Sequence, residues 1–171
     1  MANKRNIVLI GMPGAGKSTV GVVLAKILNY DFADVDLIIQ QKHGSTLQSL
    51  IDTLGPRGFI DIENEALKGI DLQDTVISTG GSAVYSEEGM RHLAEDSIVV
   101  YLKASLDEIS SRLVDFDERG IVMLQDGIMS LADLYGERAP LYERHADIAV
   151  EIDGLGITES ARLIAGLLAD Q

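Results

Sequence analysis

The chain has 171 residues, 46% of them hydrophobic, with no cysteine and a formal charge of −13 from 14 basic and 27 acidic side chains. That length suits one domain, residues 1–171, with a core that needs no cross-links; the composition excludes disulfides and thiolate metal sites, and so acidic a surface argues against a nucleic-acid partner. The basic start Met1-Ala2-Asn3-Lys4-Arg5 leads into only four consecutive apolar residues, too few for a signal peptide or a membrane helix, so a soluble, cytoplasmic and monomeric protein with no membrane partner is expected.

Residues 6–10 read as a buried strand, and Val20, Val23, Leu24, Ile27 and Leu28 have the spacing of a helix. Between them lies Gly11-Met12-Pro13-Gly14-Ala15-Gly16-Lys17-Ser18-Thr19. Glycines there let successive backbone N–H groups turn inward on an anion, with a helix N-terminus behind them. Lys17 reaches terminal phosphates and the Ser18 hydroxyl is placed to ligand magnesium, which makes this a nucleoside-triphosphate site. The alternative is a glycine-rich turn matching by chance; the strand before it, the helix after it and the Lys-Ser pair in register weigh against that.

Residues 31–35 form a weaker candidate strand ending on Asp34 and Asp36. If the segment is extended, the two carboxylates share a face, one to hold magnesium through water and one to accept a hydrogen bond from an attacking hydroxyl. The alternative is a turn with Asp as a helix N-cap. Residues 75–78 and 97–102 are further apolar strands, the first followed by Thr79-Gly80-Gly81-Ser82, where glycines allow a ligand near the backbone or simply make a turn.

Helix-like residues 105–113 and 129–144 flank the polar segment 115–120, which suggests a lid over the nucleotide, about 113–125. The second of these helices carries Glu137-Arg138-Ala139-Pro140-Leu141-Tyr142, in which Arg138 is suited to a carboxylate or phosphate. A strand at 146–151 and a helix through Ile157, Ala161, Ile164, Ala165 and Leu168 close the chain. His43, His92 and His145 lack metal-ligand spacing and read as surface or boundary residues. Strands alternating with helices make an α/β protein whose parallel sheet is covered on both faces, with ligands at the carboxyl ends of the strands.

These pieces in this order resemble the shikimate kinases over nearly the whole chain: the glycine loop at 11–19, Phe-x-Asp-x-Asp at 32–36, and Gly-x-x-Gly-Phe with a later Glu at 55–63. Thr-Gly-Gly at 79–81, an arginine in the lid at Arg119 and Glu-Arg-x-Pro-Leu-Tyr at 137–142 continue it. The resemblance implies a P-loop NTPase three-layer sandwich of the nucleoside-monophosphate-kinase type, with a lid and a five-stranded parallel sheet in the order 2-3-1-4-5. It implies phosphoryl transfer from ATP to the 3-hydroxyl of shikimate, with Mg2+ as cofactor. Carried over by position, Gly14, Ala15, Gly16, Lys17, Ser18 and Thr19 hold the ATP phosphates, Ser18 and Asp34 place magnesium, and Arg112 lies against adenine. Lys17, Asp36 and Arg119 carry catalysis, while Asp36, Gly80, Gly81 and Arg138, with Ile60 and Glu63 beside them, form the acceptor site.

Two positions depart from the family pattern. Ile60 stands where the family has an arginine for the substrate carboxylate, and Ser82 stands where it has a third glycine. Arg57 is a candidate replacement for the arginine, and Glu63 is left needing a new partner, which Arg57, Arg138 or a substrate ammonium can supply. The alternatives are therefore a kinase for another small hydroxy acid or an amino acid such as homoserine, a nucleoside monophosphate kinase, and a nucleotide-binding domain without kinase activity.

Overall fold

A computed structural model describes residues 6–113, 122 and 130–170. The strands are β1 (Asn6–Ile10), β2 (Asp31–Asp34), β3 (Thr75–Ser78), β4 (Ser97–Lys103) and β5 (Ile148–Glu151). The helices are α1 (Lys17–Leu28), α2 (Val35–His43), α3 (Leu47–Lys68), α4 (Glu87–Glu95), α5 (Leu106–Arg112), α6 (Leu131–His145) and α7 (Ile157–Ala169), with a 3-10 turn at Ala83–Tyr85. The five strands form one sheet in the order β2-β3-β1-β4-β5, as expected. Every ladder is parallel, and Val8 pairs with Ile77 on one side and Val99 on the other.

Burial explains which strands were easy to read. All residues of β1 and β3 are buried, because helices cover both faces of a parallel sheet and the strand must be apolar throughout. The edge strands β2 and β5 are half-exposed and read more weakly. Right-handed crossovers put α1 on one face and α3, α4 and α6 on the other; accordingly α1 packs against α7, and α3 against α4. The core runs through Leu9, Ile10, Val76, Ile77, Val99 and Val100 in the sheet, sealed by Leu24, Leu67 and Ile164 from the helices.

Three boundaries position the site. The second strand stops at Asp34, one residue short of expectation, because the Asp34 carboxylate accepts from the Asp36 and Leu37 amides and caps α2. Asp36 is thus helical, and the shared strand face expected for Asp34 and Asp36 is not what joins them. Helix α3 is broken at Gly55 (φ 72°, ψ 168°), and Pro56 opens the part that carries Phe59 and Glu63 inward. Arg57, two residues before Phe59 and so roughly half a turn round the helix, is exposed and points away from the inward face that carries Phe59 and Glu63. No helix among the described residues is long and apolar enough to cross a membrane. The lid expected at about 113–125 lies, except for Leu113 and Val122, outside the described residues, as does Arg119.

Candidate active site

The loop after β1 turns twice through left-handed backbone, at Gly14 (φ 83°) and Gly16 (φ 91°), and α1 starts at once with Lys17. Glycine alone holds such conformations without cost, so the loop can wrap its amides around an anion at the helix N-terminus. Lys17 is 8% exposed, and its Nζ donates to the carbonyls of Gly11 (2.8 Å) and Met12 (2.9 Å). Burial pushes its pKa down to about 8, against the pull of Asp36. A buried lysine held across a glycine loop is a cation waiting for an anion. Behind the loop, Arg112 donates to the carbonyls of Ala15 (3.2 Å) and Gly14 (3.5 Å), and pairs with Glu108 on its own helix.

Ser18 donates to Asp34 Oδ2 at 2.6 Å and lies 3.2 Å from the Ser78 hydroxyl at the end of β3. The other oxygen of Asp34 is the cap of α2, so the cap reading holds while Oδ2 stays turned to Ser18. The set is made of hard oxygens, and among the described residues no group of three or more His, Cys, Asp or Glu could hold a metal by itself. That suits magnesium, which keeps water and substrate phosphate oxygens around one or two protein ligands.

Directly after β3 comes Thr79, whose amide and hydroxyl both donate to the Leu9 carbonyl and so fix the next residues beside the P-loop. Gly80 and Gly81 stand where the protein itself crowds the backbone. A Cβ on Gly80 would lie 2.8 Å from both Asp36 Oδ1 and Glu63 Oε1, and one on Gly81 would lie 2.8 Å from Pro13 and 2.9 Å from Arg138 Nη1. The pair therefore lets two carboxyl groups, a proline of the loop and a guanidinium converge. Burial, with the Asp34 charge adding to it, pushes Asp36 up to about 6.

Arg138, on α6, is 1% exposed. Its Nε donates to the Tyr85 hydroxyl (3.3 Å), its Nη2 donates to the carbonyl of Val122, and its Cζ stands 5.3 Å from the centre of the Tyr85 ring. Glu63 is fully buried and takes its hydrogen bond from Ser82 (2.7 Å). Burial pushes Glu63 up to about 7, the Ser82 hydrogen bond working against that. The two departures noted in the sequence thus meet: with Ile60 packed against the core, the Ser82 hydroxyl is the partner that Glu63 has. Neither Arg57 nor Arg138 fills that place.

One cavity of about 660 Å³ collects these parts. Residues 13–19, Asp36, Gly80, Gly81, Ser82, Arg112 and Arg138 line it; Asp34, Ile60 and Glu63 do not, the first standing beside Ser18, the second half-buried against the core and the third fully buried. Sequence reasoning missed the loop after β5, where Ile152, Leu155 and Gly156 also face the cavity. Gly154 and Gly156, a few residues after a strand and at a carboxyl edge of the sheet, were the available signal.

With that geometry in place, comparison with known proteins is decisive. A family model described as "Shikimate kinase" matches residues 13–168. The shikimate kinase of Pasteurella multocida is 38% identical over 172 residues, covering 99% of this chain and 96% of its own, and that of Shewanella denitrificans is 36% identical over 172 residues, covering 100% and 98%. The structure of shikimate kinase from Acinetobacter baumannii in complex with shikimate superposes with a TM-score of 0.89 at 30% identity, covering 99% of this chain and 95% of that one. A thymidylate kinase from Candida albicans, 12% identical with a TM-score of 0.65, shares the fold alone. A full-length match in sequence, together with the same fold around a phosphate cradle, makes this chain a member of the shikimate kinase family.

Proposed function

We propose that the chain transfers the γ-phosphoryl group of ATP to the 3-hydroxyl of shikimate. The observation that carries this reading is the single cavity in which the P-loop faces Asp36, Gly81 and Arg138. Membership of the family, and a solved relative holding shikimate, support it further.

The P-loop amides and Lys17 hold the triphosphate, and Ser18 and Asp34 hold magnesium. Held there by Ser18 and Asp34, magnesium would offset negative charge on the phosphate oxygens. Arg138 binds the acceptor carboxylate and thereby orients the ring hydroxyl. Asp36 accepts the hydroxyl proton as that oxygen bonds to the γ-phosphorus and the bond to the β,γ-bridging oxygen breaks. The protein makes no covalent bond of its own, so rate comes from alignment and charge placement. Arg112 and the loop after β5 are assigned to the nucleoside, and Arg119 to the phosphates. Glu63 takes a hydrogen bond from Ser82 on Oε2 while its buried Oε1 has no hydrogen-bond partner among the described residues, and Glu63 does not line the cavity, which weighs against direct contact between it and an ammonium on the acceptor.

In a coupled ADP-release assay, shikimate should stimulate turnover of Mg·ATP strongly, and homoserine should not. Asp36→Asn should lower kcat by about 10²- to 10⁴-fold while ATP still binds. ADP release indifferent to shikimate, or a normal kcat in Asp36→Asn, would overturn the assignment.

A further inference from the structure

The Arg138 guanidinium binds a carboxylate well only when its plane is set, because a two-point contact needs two N–H groups aligned with two oxygens. A long side chain left to itself does not hold one plane, and ordering it on binding weakens affinity. Here one residue outside the cavity lining touches it in two ways. Tyr85 offers its hydroxyl oxygen to Arg138 Nε at 3.3 Å and the face of its ring to Cζ at 5.3 Å. The same hydroxyl donates its proton to Glu137 Oε1, so its lone pairs are left for the arginine.

Tyr85 is itself anchored. It ends the 3-10 turn Ala83–Tyr85, with its amide donating to the Ser82 carbonyl (3.0 Å) and the following Ser86 amide to the Ala83 carbonyl (2.9 Å). That turn grows directly out of Gly80-Gly81, the segment against which Arg138 Nη1 lies. Ile60 leaves this chain without the second arginine expected at the acceptor site, so the aim of Arg138 decides more.

We propose that Tyr85 is a positioning residue that sets the plane of the Arg138 guanidinium and so determines how well the pocket holds a carboxylated acceptor. This rests on Arg138 being the carboxylate anchor, and the test separates the two ideas. Steady-state constants for shikimate are compared in Tyr85→Phe, Tyr85→Leu, Arg138→Ala and the Tyr85→Leu/Arg138→Ala double variant, alongside a shikimate analogue with the carboxylate replaced by a primary alcohol. Tyr85→Phe keeps the ring face and loses the oxygen, so the KM for shikimate should rise about threefold; Tyr85→Leu loses both, and it should rise about tenfold or more. The KM for ATP should stay fixed and kcat should change less than the KM for shikimate. The Tyr85→Leu penalty should vanish in the Arg138→Ala background and for the uncharged analogue.

An unchanged shikimate KM in Arg138→Ala would remove the carboxylate anchor, and the role of Tyr85 with it. A raised KM in Arg138→Ala, with normal constants in both Tyr85 variants or a Tyr85→Leu penalty that persists without Arg138, would overturn the positioning role alone.

Discussion

Asp36 illustrates how one side chain obtains its chemistry from neighbours. An ordinary aspartate is too weak a base to help deprotonate an alcohol near neutral pH, but burial beside Asp34 pushes this one up to about 6. Lys17 opposes the rise and keeps the charged form accessible. Because the reacting form is the carboxylate, kcat/KM should fall as pH drops below about 6, with a slope near one; an acid limb centred at an unperturbed aspartate's pKa would contradict the role. Glu63 moves the same way for the same main reason, burial, and its sign matters for stability. The folded state keeps a proton that an unfolded glutamate loses between its ordinary 4.5 and about 7, so this group costs stability as pH rises through that window. From sequence, Asp36 was singled out by its spacing from Asp34 at the end of a candidate strand, whereas the Ser82–Glu63 hydrogen bond spans 19 residues and has no local signature.

The elements contribute through where they end. Strands β1, β2 and β3 stop side by side, and their exits carry the P-loop, Asp34 with Asp36, and Gly80-Gly81 respectively. Those exits were legible because each has its own chemistry in a few consecutive residues, and the interior strands because they are apolar from end to end. The break in α3 at Gly55, which turns Phe59 and Glu63 inward, follows from a glycine-proline pair that does not state its angle. The cavity face of the loop after β5 depends on where α7 docks against α1, a tertiary contact with no sequence period. Gly80→Ala tests the convergence of exits directly. Its Cβ would meet Asp36 Oδ1 and Glu63 Oε1 at 2.8 Å, and Glu63, fully buried and held by Ser82, has little room to retreat. Asp36 should therefore be displaced, lowering kcat by about 10²-fold, while calorimetry finds ATP affinity near that of the unaltered chain. Normal kcat in Gly80→Ala would show that the wall yields elsewhere.

At the scale of the whole molecule, a chain carrying −13 binds a polyanion. Long-range attraction does not bring the two together, so the favourable field is short-ranged and built from cations inside the cavity wall. Lys17 and Arg138 are both buried there, and the positive Arg138 adds to burial in lowering the Lys17 pKa. A triphosphate supplies the opposite charge, and its arrival raises the Lys17 pKa towards or beyond its ordinary 10.5. Near pH 8 a substantial part of the ligand-free Lys17 is neutral, so binding of Mg·ATP should draw in a fraction of a proton, and a larger fraction at pH 9; both lie above the range in which Asp36 and Glu63 titrate. Titration calorimetry in buffers of different ionisation enthalpy reads that uptake as the slope of observed heat against buffer enthalpy. The slope should be larger at pH 9 than at pH 8, and no uptake at either pH would mean that Lys17 is fully charged before the nucleotide comes.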